Sequence, residues 1–185
     1  MREVVDFLLA AGALKNLPRT GWRLVGVKDC ESVADHSFRV VLVALLLGEL
    51  VEGVDRDKLL RMAVVHELPE CIVTDLPPKA IQVIGRNIKQ RAEREAWARL
   101  LPSGQQLDEW RALWEEFEAG RTQEAKLARV ADKLEMLLQA YEYERAGFRD
   151  LDEFWKGDSL EDYGLEPVRA IIAELGRRRA ALKAR

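Results

Sequence analysis

Apolar residues recur three and four positions apart along most of the chain, the spacing of one face of an α-helix. In "REVVDFLLAAGALKNL" this pattern runs until Pro18 closes it, which predicts a first helix over about Glu3 to Asn16. "PRTGWRLVGVKDCE" has no steady period and carries Pro and Gly, so it reads as a loop of functional length. Ser32 with Asp35 three residues on makes a shortened N-terminal capping box ahead of "HSFRVVLVALLLGELV". This places His36 in the first turn of a central helix. The unbroken apolar run Val40 to Leu47 predicts that this helix is buried on nearly every side. Asp55 is placed to cap "RDKLLRMAVVHE", and Pro69 blocks its continuation, leaving His66 and Glu67 in the last turn.

The second half repeats the helical pattern. "DLPPKAIQ" reads as a turn into a short helix, and "NIKQRAEREAWARLL" as a charged amphipathic helix ended by "PSG". Leu107, Trp110, Leu113, Trp114 and Phe117 share one face of the next helix and are assigned to packing. "TQEAKLARVADKLEMLLQAYEYERAG" should be the longest helix, running from a Thr cap to Gly147. Ala125, Leu127, Ala128, Val130, Ala131, Leu134, Leu137 and Leu138 form its apolar face, with Asp132 at the edge. "FRDLDEFWKGDSLEDYG" reads as loop or short helix, and "LEPVRAIIAELGRRRAALKAR" as a last helix with a basic end. The fold class is all-α, with no internal repeat and no linker. One domain is expected over residues 1–185, since 185 residues of which 48% are hydrophobic suffice for a buried core.

Charge narrows the partners. With 29 Lys and Arg against 32 Asp and Glu, the net charge of −3 argues against a nucleic-acid-binding surface and leaves room for a small anionic ligand at a local basic cluster. Cys30 and Cys71 cannot form a disulfide framework, and no charged-then-apolar leader precedes a cleavage site. The apolar run is far shorter than the roughly 20 residues of a membrane span. The expectation is a cytoplasmic protein with no membrane partner.

The chemistry-bearing residues are few. His36, His66, Glu67 and Asp132 come from three separate helices and would make a sufficient first shell for one divalent first-row metal, with positions left for water. Either histidine alone reads more readily as a packed core residue, so spacing does not establish the metal role.

Read together, "ESVADHSFRV", "VVHELPECIVTDLPP" and "ARVADKLEMLLQAYEY" resemble three segments of the HD-domain metal-dependent phosphohydrolases. More narrowly they are similar to the small branch typified by 5′-deoxynucleotidases. "RTGW", Arg19 to Trp22, matches as well, and the resemblance runs from about Leu14 to Tyr143. One position departs from it: the family's His-Asp pair reads His-Glu at His66 and Glu67. A Glu carries the same charge on one more methylene, so it can still ligate, but a displaced ion would affect catalysis.

The resemblance implies a helical bundle around a central helix and a metal site of His36, His66, Glu67 and Asp132 holding one ion of Mn, Co, Fe, Ni, Zn or Mg. Asp75 would orient or deprotonate a water, and Glu70 would hold that water or assist the leaving oxygen; the two roles are interchangeable at this level. Without the motif, Asp75 reads as a turn residue and Glu70 as an acid favoured by a helix dipole. Arg19 and Trp22 would hold the phosphate and border the nucleoside, with Lys79 as a second cation. Trp22 alone reads also as a plug over the core, Lys133 and Glu135 as solvated helix contacts, and Cys71 as a small buried residue. With only two histidines a single-metal site is expected, which points away from cyclic-dinucleotide phosphodiesterases and toward a nucleoside 5′-monophosphate substrate. Relatives suggest a homodimer. The alternatives are a degenerate HD protein that binds nucleotide or metal without turnover, and a hydrolase of another phosphorylated metabolite.

Overall fold

The first helix ends sooner than its apolar spacing suggests. In the computed structural model, which describes residues 1–100 and 105–184, α1 spans Arg2–Ala11 and Gly12–Asn16 continue as a 3₁₀ turn. Part of the expected loop is also helical, because α2 covers Thr20–Leu24 and buries Trp22. The remaining helices are α3 Val33–Leu50, α4 Arg56–Val65, α5 Glu70–Val73, α6 Pro78–Ile84, α7 Arg86–Leu100, α8 Gln105–Ala119, α9 Gln123–Arg145 and α10 Glu166–Lys183. Asp55 Oδ1 accepts the Lys58 N–H at 3.0 Å to start α4, and Thr122 Oγ1 accepts the Ala125 N–H at 3.3 Å to start α9. Among the described residues there is no sheet, only an isolated antiparallel bridge between Pro18 and Ser32. No described helix is long and apolar enough to cross a membrane. The expected "PSG" stop, residues 102–104, lies outside the described residues.

The chain forms two compact units, residues 1–37 with 64–115 and residues 38–63 with 116–185. In the first, α5 packs against α7, α1 and the 3₁₀ turn, and α6 packs on α7. Its core holds Phe7, Leu14, Trp22, Val33, Val65, Trp97, Leu113 and Trp114. The Trp97 and Trp114 rings tilt against each other with centroids 6.4 Å apart, and Phe7 meets Trp110 at 5.8 Å, so these aromatics serve packing as expected.

In the second unit α9 packs against α10 and two 3₁₀ turns, Asp152–Trp155 and Gly157–Leu160, in the segment expected as loop or short helix. Leu127, Ala128, Ala131, Leu134 and Leu137 of α9 are buried, as are Val40, Ala44 and Leu47 of α3. Two expectations are corrected here. The apolar run of α3 is not enclosed on nearly every side: Leu42, Leu45 and Leu46 are exposed, as are Phe38 and Leu50 on the same helix. Glu135 is not a solvated helix contact but fully buried. Arg39 meets it there, with Nε donating to Glu135 Oε1 at 2.9 Å and the other nitrogens reaching Gln139 and Glu142.

Candidate active site

His36 owes its position to a reciprocal cap. The Ser32 N–H and hydroxyl donate to Asp35 Oδ2 at 2.9 and 2.7 Å, and Ser32 Oγ accepts the Asp35 N–H at 3.1 Å, so α3 begins with His36 in its first turn. At the other histidine Pro69 cannot continue α4, and the chain turns through Leu68 N–H to Val65 O at 3.2 Å and Glu70 N–H to Glu67 O at 3.0 Å. His66 and Glu67 therefore stand in the turn between α4 and α5, just past the helix rather than in its last turn.

Both imidazoles are buried, 0% and 4% exposed, with ring centroids 5.7 Å apart. Their Nε2 atoms face the same Glu67 Oε1, at 3.8 Å from His36 and 3.7 Å from His66. These distances are too long for hydrogen bonds. They match two ligands of one ion, since N and O bonds of about 2.0–2.2 Å place such ligands roughly 3–4 Å apart. Donor atoms of His36, His66 and Glu67 lie within 4.8 Å of one another. Two imidazoles and a carboxylate fit a divalent first-row ion. Of the four expected ligands, these three come together within one unit. Asp132 belongs to α9 in the other unit, where its half-buried carboxylate lies 3.2 Å from Lys133 Nζ.

Beside this trio lies a charged arc. Arg19 Nη1 donates to Glu67 Oε1 at 3.2 Å and stands 3.7 Å from Asp75 Oδ1. Glu70 is buried; burial first, then the charges of Glu67 and Asp75, push its carboxyl well above the usual carboxylate range, against a smaller opposing pull from Arg19. A hydrogen bond with Glu67 pushes the same way. The geometry thus separates two carboxyl groups, Glu70 enclosed and proton-retaining, Asp75 beside a guanidinium.

Trp22 is 2% exposed, and its indole N–H donates to Glu31 Oε1 at 2.8 Å, so the ring is packed and hydrogen-bonded. Lys79 is exposed in the first turn of α6. Cys71 is only partly buried, short of the enclosed residue expected, because α5 is a single turn. Two residues of the site escape a reading of residue types. Glu31 anchors Trp22. Thr20 binds Asp75 twice, its N–H donating to Oδ2 and its hydroxyl to the main-chain oxygen at 3.0 Å. The available signal for Thr20 was its place between the Arg and Trp of "RTGW".

Comparison with known proteins identifies the family. The HD domain family matches residues 11–162. The 5′-deoxynucleotidase HDDC2 of Bos taurus is 40% identical over 77% of this chain and 69% of its own length. The 5′-deoxynucleotidase hdd1 of Schizosaccharomyces pombe is 35% identical over 86% and 83%. A solved conserved hypothetical protein from Pyrococcus furiosus superposes with a TM-score of 0.81 at 42% identity, covering 94% of this chain and 99% of that one. A predicted metal-dependent phosphohydrolase from Magnetospirillum magnetotacticum gives a TM-score of 0.66 at 28% identity, covering 99% and 90%. With its paired histidines, the adjoining carboxylate and this extent of similarity, the chain belongs to the HD-domain family.

Proposed function

We propose that this protein is a metal-dependent phosphomonoesterase that hydrolyses deoxynucleoside 5′-monophosphates to nucleoside and phosphate, acting as one HD-type domain over residues 1–185. The observation that carries the reading is the convergence of His36, His66 and Glu67 beside the Arg19 guanidinium and Asp75. His36, His66 and Glu67 would hold one divalent ion, with Asp132 assigned as fourth ligand on the resemblance of "ADKLE" to the family segment. A bound ion of this kind lowers the pKa of water toward neutrality and polarises a phosphoryl oxygen. Arg19 is suited to pair with the phosphate through its planar fork, and Lys79 adds a second cation from α6. Asp75 takes a proton from the attacking water as its oxygen bonds to phosphorus. The bond from phosphorus to the 5′ oxygen breaks, and Glu70, which retains its proton, gives it to that oxygen. Trp22, buried and held by Glu31, anchors the segment that carries Arg19. The naming of the relatives as 5′-deoxynucleotidases supports the substrate class. We place the reaction in the cytoplasm and take the working form to be a homodimer, for which the exposed apolar face of α3 is the support.

Glu67 motivates a second reading, a degenerate HD protein that binds without turnover. Phosphate release from a panel of ribo- and deoxynucleoside monophosphates and other phosphate esters, with Mn²⁺, Co²⁺ or Mg²⁺, separates the two when run beside Glu67→Asp. Turnover by the wild type with a deoxy preference is expected. Activity confined to the Asp variant favours degeneracy, and activity confined to non-nucleotide esters points to another metabolite.

A further inference from the structure

Asp75 is gripped at more points than a turn residue requires. The Thr20 N–H donates to its Oδ2, the Thr20 hydroxyl donates to its main-chain oxygen at 3.0 Å, and Arg19 Nη1 stands 3.7 Å from Oδ1. One residue, 55 positions away in sequence, therefore fixes both the peptide and the carboxylate of Asp75. The segment it grips is under backbone strain. Thr74, immediately before Asp75, has φ 68°, in the left-handed region that a β-branched residue rarely adopts. Such a conformation persists only where its surroundings over-determine it. Here the segment leaves α5 at Thr74, where the Thr74 N–H still donates to Glu70 O at 2.8 Å, and it is next fastened at Asp75 by Thr20.

We propose that Thr20 is a positioning residue for the phosphatase reaction: it latches the 74–76 segment and aims the Asp75 carboxylate. The inference rests on the assignment of Asp75 as the group that handles the attacking water. The main chain of residue 20 meets the carboxylate while its hydroxyl meets the Asp75 peptide, so the two contacts together hold both parts of one residue. The bond to Oδ2 comes from a main-chain N–H that Val and Ser also carry, so the hydroxyl is the part that substitution can remove. Loss of the hydroxyl frees the Asp75 peptide, and the carboxylate is then held only by the Thr20 N–H and the Arg19 ion pair, with no fixed backbone behind it. Substrate binding through Arg19 is left largely intact, so the loss falls on kcat more than on KM.

The test uses Thr20→Val, which keeps the shape and removes the hydroxyl, and Thr20→Ser, which keeps the hydroxyl. Kinetics are measured on deoxyadenosine 5′-monophosphate with Mn²⁺, and hydrogen–deuterium exchange is followed across residues 74–76 in metal-free protein. Thr20→Val is expected to lower kcat about tenfold with KM within about twofold, and to speed exchange in that segment. Thr20→Ser should restore both. Equal loss in the Ser variant, or unchanged exchange in the Val variant, overturns the latch. Faster exchange with kcat within about twofold of wild type reduces Thr20 to a structural contact and overturns the positioning role. If the wild type releases no phosphate, the phosphatase reading fails and the positioning role falls with it, while the exchange result still shows whether the latch exists.

Discussion

Glu70 is the clearest case in which one side chain's surroundings set its chemistry. Its Oε2 is buried without a hydrogen-bond partner, and the neighbouring Glu67 and Asp75 charges oppose its ionisation. A raised folded-state pKa means that the folded protein holds the proton more tightly than the unfolded chain does. The stability linked to Glu70 is thus fully present below about pH 4.3, the unfolded value, and is lost as pH rises through the raised one. Glu70→Gln carries no ionisable proton and escapes that loss. In chelator-treated protein the thermal midpoint of the variant should gain on wild type between pH 5 and pH 8, and a constant gap would mean that Glu70 ionises normally. In the metal-loaded enzyme the same change removes the proposed proton donor and should lower kcat about a hundredfold. His36, His66 and Glu67 could be singled out in the sequence only as a candidate set, because it took the neighbouring family-like segments to favour a metal over a packed core. Thr20 could not be, since its contribution comes from a main-chain N–H and a hydroxyl meeting a residue 55 positions on.

Helix starts were legible wherever a side chain close in sequence supplies the cap, as Ser32 with Asp35, Asp55 and Thr122 do. The helix inside the "RTGW" stretch was hidden, because what turns that segment inward is the burial of Trp22 and its bond to Glu31, not its own periodicity. The pairing of α3 with α9 was hidden for a related reason. Glu135 reads as a surface acid until Arg39, 96 positions away, is seen to meet it. Arg39 engages Glu135, Gln139 and Glu142, residues at one helical spacing, so it sets the register of the two helices. Arg39→Ala leaves a fully buried carboxylate without its cation and should cost about 3–5 kcal/mol in chemical denaturation. Replacing the pair together, Arg39→Met with Glu135→Leu, removes both charges and should return stability to within about 1 kcal/mol of wild type or above it. A double variant as unstable as Arg39→Ala would mean that the pair contributes net stability rather than register.

For the molecule as a whole, the informative feature is what α3 leaves uncovered. Val40 to Leu47 is apolar at every position, so the sequence offers no contrast between a core-facing side and a partner-facing one; both read as buried. In the folded chain Phe38, Leu42, Leu45, Leu46 and Leu50 are between 43% and 68% exposed. Phe38, Leu42 and Leu45 follow steps of four and three, the spacing of a two-helix seam. Together these side chains offer on the order of 500 Å² per copy, near the lower limit for a specific pair and in the range where a protein's largest apolar patch is often functional. Arg39, next to Phe38, is turned toward α9 and its carboxylates, and Glu49 is paired with Arg56 at 2.9 Å, so no charge is stranded along the central part of the seam. An identical helix crossing it antiparallel satisfies the stripe with itself, a geometry compatible with a two-fold dimer. Leu42→Glu with Leu46→Glu would bring four carboxylates together at that crossing, and the resulting repulsion and desolvation amount to several kcal/mol. Sedimentation velocity at micromolar concentration should show a dimer for wild type and a monomer for the double variant, with the far-ultraviolet helical signal unchanged in both. A wild type that sediments as a monomer, or a double variant that remains dimeric, would remove α3 as the interface.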